Sequence, residues 1–151
     1  LRPFLLEQAI RSAQRLAGHE LKGVQVTVQQ PQDTHVLGDE PAIIGVLINL
    51  FSNAALALQR AGREQPRIDV HVTETGDRLR VAVRDNGQGI LPEHIGRVFE
   101  PFFTTRDVGA GLGLGLSVSY GIVQRHGGVL AVESEHGAWT EFTFDLPRPA
   151  A

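Results

Sequence analysis

"GAGLGLGLSVSYGIVQRHGG" (residues 109–128) places glycine at 109, 111, 113 and 115 and then turns into an amphipathic run. Glycine at alternate positions packs poorly and loses much backbone entropy on folding, so such a stretch signals a close approach to bare backbone. A glycine-rich loop that opens a helix offers N–H groups and a positive dipole end, which suits phosphate. On glycine content alone, a flexible linker is the plainer reading. The single lysine, Lys22, lies far from these glycines, which excludes a P-loop and a protein-kinase glycine loop. Rossmann spacing fails as well: counted from Gly109, Gly111 or Gly113, the third glycine would fall on Leu114, Leu116 or Val118. The commonest glycine-loop nucleotide folds are out.

Composition narrows the class further. The 151 residues are 42% hydrophobic and 21% charged, the balance of one ordinary globular domain, taken as 1–151. A formal net charge of −3 supplies no basic field, so nucleic acid is not an expected partner. The absence of cysteine removes disulfides, thiolate chemistry and most structural zinc sites. No apolar run is read as reaching the ~20 residues that span a bilayer, so no membrane contact is expected of this piece. Because the chain begins with Leu1, it is read as a fragment of a longer one.

Residues 2 to about 17 carry apolar side chains at helical spacing, and Val24, Val26 and Val28 alternate as in a short strand. A long helix follows, with Asp39 as cap, Pro41 in its first turn and Gly62 as stop. "RIDVHVTETGDRLRVAVRD" alternates on both sides of a Gly-Asp turn and reads as a hairpin. "PEHIGRVFEPFF" opens a short helix that must end by Pro101. The glycine stretch and its helix run to about Gly127, and two alternating segments surround His136-Gly137. That order predicts an α+β fold, helices on one face of a mostly antiparallel sheet.

Two features carry chemistry. In the long helix, Ile43, Leu47, Leu50, Phe51, Ala54 and Leu58 form an apolar stripe, and Asn49 and Asn53 lie about 130° away from it. Two asparagines can simply solvate an exposed face. Yet asparagine is a weak helix former, and the flank of Ala55, Leu56 and Ala57 is apolar. An amide oxygen also suits Mg²⁺ that keeps waters and phosphate oxygens. The second feature is Asp85, which shares a strand face with Leu79, Val81 and Val83 and so points toward the core. It can cap an Asn86-Gly87 turn. No alternating strand follows that turn, however, and a buried carboxylate beside glycines would receive a ligand's hydrogen-bond donor.

"NLFSNA", "DNGQGI", "FEPFFTTR", "GLGLGL" and "GAWTEF" stand in this order, and together they resemble the catalytic ATP-binding domain of two-component sensor histidine kinases. That family shares a superfamily with gyrase and the mismatch-repair ATPases. The likeness covers about residues 3–147, and its wording is most similar to kinases of the C4-dicarboxylate and nitrogen-sensing subgroup. It implies a Bergerat-type ATP-binding fold: a two-layer α/β sandwich with a mixed, mostly antiparallel sheet.

The resemblance further implies that Asn53 coordinates Mg²⁺ and that Asn49 lies beside the phosphates of ATP. It makes Asp85 the acceptor for the adenine amino group, with Gly87, Gly89 and Ile90 shaping the base pocket beside Ala57 and Thr140. Thr104, Thr105, Gly109, Gly111, Leu112, Gly113, Leu114, Gly115 and Leu116 would form the lid and helix start around the phosphates, a lid expected to order when the triphosphate binds. Phe102 and Phe103 would anchor its base, and Arg106 would serve beside Asn53 as the catalytic cation. The implied partners are a phosphoacceptor histidine domain of the same kinase and a response regulator. The implied location is the cytoplasmic portion of a membrane-anchored sensor.

The sequence departs from the family pattern in three places. A lysine that some members carry after the metal-binding asparagine is Leu56 here; Arg60, seven residues on from Asn53, is either its substitute or, on the plainer reading, a solvated side chain. Leu112 stands where threonine is frequent. Trp139 replaces the second glycine of the last box, which puts the turn before Thr140 in question. "HELKG" from His19 imitates a phosphoacceptor box but sits at a helix-to-strand junction, so His19 is not taken as an acceptor. His35, His71, His94, His126 and His136 are read as surface or turn residues. In the hydrolysing cousins the first asparagine-box position is a glutamate base. Asn49 cannot take a proton, which favours phosphoryl transfer to an outside nucleophile over hydrolysis. A nucleotide-binding regulatory module without catalysis is the alternative.

Overall fold

The computed structural model describes residues 1–103 and 115–150. Thr104, Thr105, Arg106, Gly109, Gly111, Leu112, Gly113 and Leu114, with the lid expectation, lie outside the described residues. The elements run β1 (Arg2–Leu5), α1 (Leu6–Leu16), β2 (Gln25–Gln29), β3 (His35–Gly38), α2 (Glu40–Ala61), β4 (Arg67–Thr75), β5 (Arg78–Asp85), α3 (Pro92–Ile95), α4 (Gly115–Arg125), β6 (Ala131–Glu135) and β7 (Trp139–Pro147).

The main sheet has the order β2-β4-β5-β7-β6. Only β2 and β4 run parallel, and every other pair is antiparallel. Helices cover one face, so each strand buries alternate residues: Ile68, Val70 and Val72 of β4 and Leu79, Val81 and Val83 of β5 are at most 4% exposed. This is the expected two-layer α+β sandwich.

α2 organises the core. Asp39 caps it by accepting from the Ala42 N–H, a proline occupies its first turn, and Gly62 closes it in the left-handed conformation at φ 64°. Ile43, Val46, Leu47, Leu50, Phe51, Ala54 and Leu58 are buried against the sheet and α1, each worth about 1.5–3 kcal/mol for the larger side chains. The 22-residue helix is apolar enough to cross a membrane by length and composition, which corrects the expectation that no run reaches that length. Its buried stripe and its caps explain the composition otherwise: it is a core helix.

The first helix is shorter than its periodicity predicts. Residues 2–5 form β1, paired antiparallel with β3, a strand the sequence did not announce. Thr34 sets the boundary. Its carbonyl accepts from the Leu6 N–H at 2.9 Å and its hydroxyl from the Glu7 N–H at 3.1 Å, so the helix is capped from a distant segment. Phe4, Leu5 and Leu6 fit either periodicity, and Pro3 disfavours helix at Arg2.

His126 lies in the turn after α4, one of its two expected settings, but its side chain is buried. It is 9% exposed. Its Nδ1 donates to the Ile122 carbonyl at 2.8 Å and its Nε2 accepts from the Asp39 N–H at 3.0 Å, tying the end of α4 to the start of α2. Gly38 is bare because a Cβ there would come within 2.8 Å of this ring. His126→Phe keeps a ring but leaves both backbone groups unpaired, so urea unfolding should show a loss of about 1–3 kcal/mol. An unchanged midpoint would contradict this role.

Candidate functional site

Sheet register assembles one end of the site. Ile68 of β4 opposes Asp85 of β5, Asp85 opposes Thr140 of β7, and Thr140 opposes Ser134 of β6. Opposed residues share a face, so Asp85, Thr140 and Ser134 form a polar row on the helix-covered side. Asp85 and Thr140 are each 3% exposed. The Ser134 hydroxyl lies 3.0 Å from Thr140 Oγ1, donates to the Trp139 carbonyl at 2.7 Å and accepts from the Ile90 N–H at 2.8 Å. Ser134 was legible only as a small polar residue in phase with Val132, and the sequence reading missed it.

The chain leaving β5 folds tightly over this row. Asp85 Oδ1 accepts from the Gly87 N–H at 2.8 Å, so this carboxylate both caps the turn and is buried. A Cβ at Gly87 would come within 2.8 Å of Ala57 on α2, and the Gln88 N–H donates to the Ala57 carbonyl at 3.3 Å. Gly89 has φ 74°, and a Cβ there would strike the Glu135 carbonyl. Arg63, which no motif marks, reaches back from the end of α2. Its Nε donates to the Asn86 carbonyl at 2.8 Å, and its Nη2 donates to the carbonyls of Gly87 (3.1 Å) and Gly137.

The other end of the site is built on α2 and α4. Asn53 Nδ2 donates to the Asn49 backbone carbonyl at 2.9 Å and to Asn49 Oδ1 at 3.3 Å, which fixes its amide beside that of Asn49. Asn49 Nδ2 donates to the buried Ser119 hydroxyl of α4 at 3.1 Å. A Cβ on Gly115 would strike the Asn49 amide, so the bare backbone at this glycine makes room for Asn49. Leu116, next in α4, packs against the core. Asn49, Asn53 and Ala57 recur every four residues, one row of α2 running about 12 Å from α4 to the loop after β5.

Around the site, Phe99 rather than Phe102 is the aromatic anchor. It packs on Tyr120 at 5.2 Å and Phe142 at 6.2 Å, whereas Phe102 is 70% exposed at φ 66°. Phe103 lies against His94 and Arg97. Trp139 leaves the hairpin intact: it pairs with Glu135, and Arg84 lies over its ring. Arg60 is exposed, and His19 sits in a turn segment, as expected.

Electrostatically, Asp85 stands out. Burial pushes its carboxyl up to about 6, opposed only by the Gly87 N–H. Among the described residues no cation pairs with it. Such a group fits a neutral hydrogen-bond donor rather than a metal. Among the described residues no three His, Asp or Glu side chains converge as a metal site either. An amide oxygen such as that of Asn53 is the kind of neutral ligand that Mg²⁺ takes beside phosphate oxygens and water.

Residues 38–150 match the family of histidine kinase-, DNA gyrase B- and HSP90-like ATPases. The chain belongs to that family. Within it, the likeness is to the catalytic ATP-binding domain of sensor histidine kinases. The sensor histidine kinase ZraS of Klebsiella oxytoca is 40% identical over 119 residues, 78% of this chain and 24% of that protein. The mycobacterial sensor histidine kinase MprB superposes with a TM-score of 0.85 at 25% identity, covering 99% of this chain and 100% of that structure. Full-length ShkA in complex with AMPPNP superposes at 0.84 with 28% identity, covering 100% of this chain and 32% of that one. The chain thus spans about a quarter of the length of the curated relatives it matches.

The buried carboxylate has a stability consequence. Its folded value, about 6, lies above the ordinary 3.8, so the unfolded chain releases the proton first. Stability from this group is therefore lost as pH rises from about 4 through 6, by about 2–3 kcal/mol at 1.36 kcal/mol per unit. Asp85→Asn should be more stable than the parent at pH 7.5 and no more stable at pH 4, by denaturant titration. Equal differences at both pH values would contradict the burial argument.

Proposed function

We propose that this chain binds Mg-ATP along the Asn49–Asn53–Ala57 row, adenine at the Asp85 end and phosphates at the α4 end. The observation that carries the reading is Asp85: a buried carboxylate with no cation paired to it among the described residues, in line with two hydroxyls, complements an exocyclic amine. Guanine would present a carbonyl to the same carboxylate and leave two acceptors facing each other, a mismatch that can discriminate by roughly 10⁴-fold. Gly87, Gly89 and Ile90 bound the base, and Thr140 closes its far side. Asn53 holds Mg²⁺, which neutralises phosphate charge when bound. The positive end of α4, at Gly115 and Leu116, faces the phosphates with Asn49 beside it. Leu112, Gly113, Leu114 and the rest of residues 104–114, including Arg106, complete the enclosure in this reading.

The reaction is transfer of the γ-phosphoryl group to a histidine on a separate domain of the same kinase, from which a response regulator then takes it. Asn49 has no carboxylate with which to activate water, so positioning and charge neutralisation supply the catalysis. The location that follows is the cytoplasmic side of a membrane-anchored sensor. With γ-labelled ATP, Mg²⁺ and a helical domain bearing the acceptor histidine, acid-labile label should appear on that domain and none on His19. Asn53→Ala should abolish the transfer while keeping the fold. Label on His19, or undiminished transfer by Asn53→Ala, would refute the assignment.

A further inference from the structure

Arg63 holds an unusual set of acceptors for a side chain in a connecting loop. All three are backbone carbonyls, and they belong to two segments far apart in the chain: Asn86 and Gly87 after β5, and Gly137 in the β6–β7 turn. Both segments border the polar row. Gly62, left-handed at φ 64°, turns the chain back so that the next side chain lies over these loops. The planar guanidinium then spreads its fork across both, a geometry no ammonium reproduces.

One of the three bonds bears directly on Asp85. The peptide unit between Asn86 and Gly87 has its carbonyl on Arg63 Nε at 2.8 Å and its N–H on Asp85 Oδ1 at 2.8 Å. A cation on the carbonyl polarises the peptide and strengthens its N–H as a donor. The same bond fixes the plane of the peptide, and with it the rotamer of the carboxylate. On the other side, the Gly137 bond ties down the turn that carries Thr140, three residues on, while the Gly137 N–H donates to the Gln88 carbonyl at 2.6 Å. Arg63 therefore sets the spacing between the two strand ends that carry Asp85 and Thr140.

We infer that Arg63 is a positioning residue for nucleotide-base selection, acting on Asp85 through the Asn86–Gly87 peptide and on Thr140 through the Gly137 turn. The inference rests on the reading of Asp85 as the base-recognising carboxylate. It predicts that loss of Arg63 is felt at the base end and not at the phosphate end.

Calorimetric titration of this chain with Mg-ATP, ADP and GTP tests it. Arg63→Ala should weaken ATP and ADP by the same factor, roughly tenfold, the scale of a lost charged hydrogen bond. The ratio of ATP to GTP affinity should fall, with the circular dichroism spectrum unchanged. Arg63→Lys keeps the charge but gathers its donors on one nitrogen without the planar fork, so it guards against a folding defect in the alanine variant; it should lose selectivity too. In an Asp85→Asn background, Arg63→Ala should add little, because both act through one peptide. Unchanged selectivity in both Arg63 variants would overturn the inference, as would a loss confined to ATP. If Asp85→Asn itself kept the ATP preference, the reading of Asp85 would fail first, and that outcome is distinguishable from the failure of Arg63 alone.

Discussion

A carboxylate taken out of water, with no cation paired to it among the described residues, is the constraint around which this domain is arranged. Asp85 ends a strand whose other inward residues are Leu79, Val81 and Val83, so strand alternation leaves it nowhere else to point. The fold offers it one N–H, from Gly87, and that N–H is available only because Gly87 lies against Ala57 with no side chain between them. The tight passage of residues 86–89 between α2 and the β6–β7 turn follows from this, as does the bare backbone at Gly89. A site that is costly when empty is one that a matching donor relieves.

α2 links the two ends of the site through its two faces. Its stripe from Ile43 to Leu58 holds the sheet, while Asn49, Asn53 and Ala57 look the other way. Asn49 is engaged on both sides, by Asn53 and by Ser119, and its amide fills the space a side chain at Gly115 would take. The last glycine of the "GLGLGL" stretch thus has a packing cause within the described structure. The asparagine pair is more than a solvated face: Asn49 accepts from the Asn53 amide and donates to Ser119 of α4.

Much of this was written locally in the sequence. Asp39, Pro41 and Gly62 bound α2, the Gly-Asp and His-Gly turns mark two hairpins, and period-two alternation sends Asp85 inward. The parts that were not legible depend on partners distant in the chain. β1 and β3 are four-residue strands defined by each other, and α1 starts where Thr34 reaches it. His126 looks like any polar residue near a helix end until Asp39 and Ile122 are brought to its two nitrogens. Ser134 and Arg63 carry no motif, because their acceptors are backbone groups that only the folded register brings near.

The central claim, that Asp85 is held ready for an amine donor, is tested most directly by following its carboxyl carbon by NMR as pH is varied. In the free protein the carboxyl should titrate near 6. Saturation with ATP should move that midpoint down, because a donor on the carboxylate favours its charged form. A midpoint that stays in place, or rises, with ATP bound would contradict the account.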